Sequence, residues 1–130
     1  MWKKELKILD KITGFMAIVF AVAFLVGFPG YADPTNGVIT VVKDAVPDTL
    51  VYFEYTGDLG TFYLDDDGVG ANYKTFVCLL PRQYTITEVL PIDWQLIDIT
   101  IVDPDGGSTV DLANATVSID LDAGETVTVT

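Results

Sequence analysis

The stretch T-F-V-C-L-L-P-R-Q-Y-T-I-T-E-V-L-P-I-D-W, from Thr75 to Trp94, reads as a strand, a tight turn at Pro81 and a second strand. In the second strand Tyr84, Ile86 and Glu88 share one face, and Thr85, Thr87 and Val89 share the other. Tyr84 and Ile86 mark the core face, so a carboxylate lies in register with core residues. An ionised Glu is costly to bury unless it is paired or protonated. Glu88 therefore requires a cationic partner or a chemical role.

The rest of the chain after Asp33 repeats this cadence. β-Branched or aromatic runs recur at Val38 to Lys43, Leu50 to Tyr55, Thr61 to Leu64, Tyr73 to Leu79, Gln83 to Leu90, Trp94 to Val102, Ala115 to Leu121 and Thr126 to Thr130. Between them stand turn formers: Gly57-Asp58, Asp67-Gly68, Pro104-Asp105-Gly106-Gly107 and Ala123-Gly124. Many short strands with two inner faces predict an all-β, antiparallel β-sandwich. Alternation also places Lys43 on the face of Ile39 and Val41, and puts Tyr84 and Trp94 in the core register.

Leu79-x-Pro81-x-x-Tyr84-Thr85-x-Thr87-Glu88, preceded by Phe76 and followed by Trp94, resembles the prealbumin-like (SpaA or collagen-adhesin B-type) domains of bacterial and archaeal surface proteins. V-I-T-V-V-K-D-A-V-P-D from Val38 to Asp48 looks like the first strand of that family. Y-F-E-Y-T-G-D-L-G-T-F-Y-L-D-D-D from Tyr52 to Asp67 is similar to its second strand and Asp-rich hairpin, and L-D-A-G-E-T-V-T-V-T, ending at Thr130, to its closing strand. The resemblance implies a prealbumin-like sandwich and a structural or adhesive role. It also implies a disulfide in many relatives, at positions that fall here on Ile101 and Val129, so an apolar contact is expected in its place.

The same resemblance points to an isopeptide pair. In many such domains a Lys on the first strand bonds to an Asn or Asp on the last, assisted by the Glu of the Tyr-Thr-x-Thr-Glu strand, and Lys43 and Glu88 match those positions. In a dry core an uncharged amine can attack a carboxamide polarised by a protonated acid. The acceptor is absent from the sequence through Thr130, since Asn36, Asn72 and Asn114 fall in loops or at strand starts. The expectation is a partly buried Lys43–Glu88 ion pair, or a Lys43 that snorkels to the sandwich edge, with no crosslink.

Other chemistry is sparse. With no His and one Cys, the chain has no Ser-His-Asp or Cys-His arrangement and no zinc ligand set. An enzyme is not expected, nor a cofactor. Gly68-Val69-Gly70 lies between strands rather than opening a helix, so it is no phosphate loop. Asp65-Asp66-Asp67 lacks the alternating ligand spacing of a calcium loop and reads as a solvated turn. Cys78, with no partner in the chain, reads as a small buried hydrophobe. Asn114-Ala115-Thr116 is a glycosylation sequon at the mouth of a strand.

Charge divides the chain in two. Lys3, Lys4, Lys7 and Lys11 precede Ile12, after which three cations (Lys43, Lys74, Arg82) face 17 acids, a net of −14. Such a surface repels nucleic acid and anionic lipid. From Ile12 to Ala32 no residue is charged, with a strongly apolar run from Met16 to Phe28. Basic start, apolar stretch, Pro29, and small Gly30 and Ala32 ahead of Asp33 read as a signal peptide cut between Ala32 and Asp33. The alternative is a retained anchor crossing the membrane through residues 12–32. Gly14-Phe15 also faintly resembles a type IV pilin leader, although Val19 stands where such leaders carry Glu. In each case the Lys-rich end stays inside.

Residues 1–32 are thus expected to be a signal or anchor with a hydrophobic helix, 33–37 a linker and 38–130 one domain, extracellular or cell-surface. The expected role is a non-enzymatic structural or adhesin-type module whose partners are other envelope proteins or glycans. One alternative is a glycan- or protein-binding module using Tyr52, Tyr55, Tyr73 or Trp94. Another is a filament subunit that keeps its N-terminal helix.

Overall fold

The computed structural model describes residues 35–130, which lie in one compact unit. The expected signal or anchor helix and the cleavage position at Ala32 and Asp33 fall outside the described residues. Nine strands form among the described residues: β1 (Gly37–Val42), β2 (Thr49–Gly57), β3 (Phe62–Asp66), β4 (Tyr73–Leu79), β5 (Arg82–Val89), β6 (Ile101–Val102), β7 (Thr109–Asp111), β8 (Thr116–Leu121) and β9 (Thr126–Val129). A 3-10 turn, Leu112–Asn114, precedes β8. Among the described residues no helix is long and apolar enough to cross a membrane.

The strands make two sheets, ordered β4-β1-β9-β6 and β3-β2-β5-β8-β7. Their inner faces meet in one core, where Ile39, Phe53, Ile119 and Val127 are fully buried. Tyr55 stacks on Phe62 at 5.1 Å between ring centroids, and Phe76 meets Phe62 edge-on at 5.0 Å. Such offset and edge contacts suit the ring quadrupoles. Gly57 has no alternative: at φ +140° a Cβ would sit 2.1 Å from the Thr85 carbonyl oxygen.

The sandwich is all-β as expected, but one pair breaks the antiparallel rule. The first and last strands lie side by side and parallel, with Val38 opposite Thr126 and Val41 opposite Val129. A parallel pair of terminal strands cannot be joined by a hairpin; here the whole chain is the crossover. Three other expectations are corrected. Trp94 to Ile99 are not strand, and only Ile101–Val102 pair, with β9. The segment opens with a turn in which Trp94 N–H donates to the Pro91 carbonyl, 3.2 Å, and Asp93 adopts φ 69°. Strand β7 has no counterpart among the expected runs, because T-V-D is too short for an alternating signal. Cys78 is exposed rather than buried. It adopts φ 58° where two residues of β4, Val77 and Cys78, oppose one of β1, Val38, and is the extra residue of a β-bulge.

The four outer strands are each poor templates for further pairing. On β4 the bulge combines with Lys74, which lies over the Phe62 and Phe76 rings at 5.4 and 5.5 Å. β3 ends in Asp65 and Asp66, and β6 and β7 have two and three residues. Inward charge, bulges and short strands are the usual protections of a sheet edge.

Tyr84 is buried as expected, with its hydroxyl donating to the Leu80 carbonyl at 2.9 Å. Trp94 is half-buried, edge-on to Phe53 at 5.1 Å. Phe53→Ala is therefore expected to destabilise the domain by about 3 to 5 kcal/mol, and Trp94→Ala by less. Urea unfolding of the two variants measures this, and an equal or larger loss at Trp94 would contradict the packing order.

Candidate functional site

Lys43 comes directly after β1, and β1 alternation carries its side chain inward behind Ile39 and Val41. Asn72 holds the Lys43 backbone at both ends: Lys43 N–H donates to the Asn72 carbonyl at 2.7 Å, and Asn72 Nδ2 donates to the Lys43 carbonyl at 2.8 Å. β5 alternation brings Glu88 in from the opposite sheet. The two meet with Lys43 Nζ donating to Glu88 Oε1 at 2.8 Å, both side chains buried. Lys43 Nζ also lies 3.9 Å from the centre of the Phe53 ring. The cation is thus held by a carboxylate and a ring face together.

Tyr55 stands directly opposite Glu88 in the β2–β5 register. Burial, reinforced by the Glu88 charge, pushes its hydroxyl well above the usual tyrosine range, so it stays neutral. Beside the pair a cavity of about 250 Å³ opens between the sheets, walled by Val41, Tyr55, Trp94, Val129 and the 95–100 segment. No Asn lines it. The side chain of Asn72 is spent on the Lys43 backbone, and that of Asn114 donates to Asp111, the residue that caps the 3-10 turn. The structure therefore brings Lys43 and Glu88 together as a buried ion pair, with no carboxamide of Asn against them among the described residues.

Ile101 and Val129, the positions matched to a disulfide, stand directly opposite each other in the β6–β9 register. Both pack on the core. Asp67 behaves as a loop staple: its Oδ1 accepts from Val69 and Gly70 N–H, both at 2.9 Å, and these bonds hold its carboxyl below the usual range. Asp66 Oδ2 accepts from Ala45 N–H at 2.9 Å. Asn114 is exposed, its Nδ2 donating to Asp111 Oδ2 at 2.7 Å, while Thr116 Oγ1 donates to the Asn114 carbonyl at 2.9 Å. Of the four aromatic candidates, Tyr52 and Tyr73 are exposed on different sheets, whereas Tyr55 is buried and Trp94 half-buried. They do not form one platform.

One cluster has no signature in the sequence. Asp103, Asp105 and Glu125 bring carboxylate oxygens within 4.8 Å of one another. Both Asp103 oxygens are already engaged, Oδ1 by Asp105 and Gly106 N–H and Oδ2 by Ser108 N–H at 2.8 Å. The Ser108 hydroxyl, together with backbone N–H groups, holds the Asp103 carboxyl far below its usual range. Asp105 moves the other way, pushed up to about 6, first by its hydrogen bond with Asp122. The cluster spans the loop after β6 and the turn before β9, so no local motif announces it.

Comparison with family models, with curated proteins and with solved structures finds no match.

Two outcomes are expected. Lys43→Ala or Glu88→Ala, each leaving a buried unpaired charge, should cost about 3 to 5 kcal/mol. Joint replacement by Met and Leu should recover most of that loss in denaturant melts, whereas additive losses would show that the two groups do not act as a pair. For Asp105, a folded value raised above 3.8 contributes stability while protonated and loses it as pH rises through about 6. Asp105→Asn should flatten the pH dependence of the melting temperature over that window. The depressed Asp103 and Asp67 act in the opposite sense, below 3.8.

Proposed function

We propose that this chain is an exported, non-enzymatic structural module of a cell-surface protein, of the prealbumin-like kind, which transmits or resists tension between the parts on either side of it. The observation that carries this reading is the parallel pairing of β1 with β9. Parallel neighbours begin at the same end, so a pull on the start of β1 against the finish of β9 slides one strand along the other. Every β1–β9 hydrogen bond is then strained together instead of one after another. The Lys43–Glu88 bond, at the far end of β1, adds a tie from this strand into the second sheet.

Three further features support the reading. The sheet edges are blunted, which suits a module crowded at a surface without aggregating. The excess of acids keeps it soluble and away from nucleic acid and anionic lipid. The residues around the buried pair form no nucleophile–base–orienter set. Export by the segment before Asp33, cut or retained, belongs to the same proposal.

Single-molecule pulling tests it. Attachment at residues 36 and 130 shears β1 against β9; attachment at 36 and 80 unzips β1 from antiparallel β4. A clearly higher unfolding force is expected in the first geometry, and equal forces would remove the basis of the proposal. Intact mass should match the unmodified sequence of the tested form, because no Asn among the described residues lines the cavity beside Lys43.

A further inference from the structure

The outward face of the five-stranded sheet carries an ordered set of hydroxyls. Register places Thr56 beside Thr87 and Thr87 beside Thr116 in one rank across β2, β5 and β8. A second rank sets Thr85 beside Ser118 and Ser118 beside Thr109 across β5, β8 and β7. Neighbouring strands lie about 4.8 Å apart, and successive outward residues on one strand roughly 7 Å apart. Thr87 Oγ1 and Thr116 Oγ1 share a hydrogen bond of 2.8 Å. β-Propensity favours threonine on any strand. It does not explain why a chain this acidic keeps all six of these outward positions free of charge. The acids ring the face instead, with Glu54 and Asp65 at one margin and Asp111 and Asp120 at the other.

The first margin is also aromatic. Tyr52 and Tyr63 are 66% and 56% exposed, and Val89 faces outward beside Glu54. Tyr63 Oη donates to Glu54 Oε2 at 3.3 Å. Alternation along β2 and β3 puts both tyrosines on the same outward face as the hydroxyl ranks.

We infer that this face binds a neutral polysaccharide. Tyrosine rings offer flat apolar surface to the C–H face of a sugar. Threonine and serine hydroxyls both donate and accept, and carboxylates accept from sugar hydroxyls. The charge pattern selects the class. No Lys or Arg belongs to either rank or to the aromatic margin, and four carboxylates surround them, so a polyanion is repelled while an uncharged, hydroxyl-rich chain is not. This inference rests on residues separate from those of the tension-resisting reading, and either can fail alone.

Affinity electrophoresis of the full chain through gels containing mannan, xyloglucan or dextran tests it, with alginate and poly-lysine gels as the charged arms. Retardation by at least one neutral polysaccharide is expected. It should weaken roughly tenfold or more in Tyr52→Ala/Tyr63→Ala and fall in Thr87→Lys, with far-UV circular dichroism unchanged. Tyr73→Ala, on the other sheet, should leave it intact. The inference is overturned by no retardation in any neutral gel, by retardation confined to a charged gel, or by neutral binding that survives both face variants.

Discussion

Burying one carboxylate is the constraint on which the arrangement of this domain depends. Glu88 is carried into the core by the same alternation that buries Tyr84 and Ile86, and a single-residue slip of β5 would move all three to solvent. The ionised acid is tolerable only because Lys43 arrives from the other sheet within 2.8 Å. For Lys43 to arrive there, β1 must run in register beside β9 and stop at Val42, and Asn72 must hold the turn after it. A pair of this kind adds little net stability over apolar packing, but it penalises every alternative register that separates the two charges.

Around that tie the sandwich distributes its charges by function. The inner faces are apolar apart from the pair, the sheet edges carry the devices that discourage pairing, and the acids gather in loops. There they are consumed by backbone N–H groups: Asp67 staples the loop after β3, and Asp103 the loop after β6. The acidity of the chain therefore performs local structural tasks as well as giving a repulsive surface. The outward face of the larger sheet is the exception, where hydroxyls stand in ranks with the carboxylates displaced to the rim.

Strand content and inner faces were legible in the sequence because they depend on a period of two residues, which is local. The all-β class, the burial of Tyr84, Ile86, Ile39 and Val41, and the inward course of Lys43 and Glu88 all arise from alternation. The departure at Trp94 to Ile99 has a physical cause. W-Q-L-I-D-I-T-I-V alternates well enough for a strand, but the turn from Pro91 to Trp94 re-aims the chain, leaving only Ile101–Val102 to pair with β9. Cys78 is exposed against its composition because it is itself the extra residue of a bulge, which breaks the alternation of β4 at that point.

The sequence by itself determined that Glu88 would need a partner and that two inner faces existed to supply one. The tertiary structure alone decided that the first and last strands would be parallel neighbours. It alone also brought Asp103, Asp105 and Glu125 together and lined up the hydroxyls of four strands. These are pairings between residues far apart in the chain. Their register is set by packing and hydrogen bonding across the whole sandwich, and no local pattern encodes it.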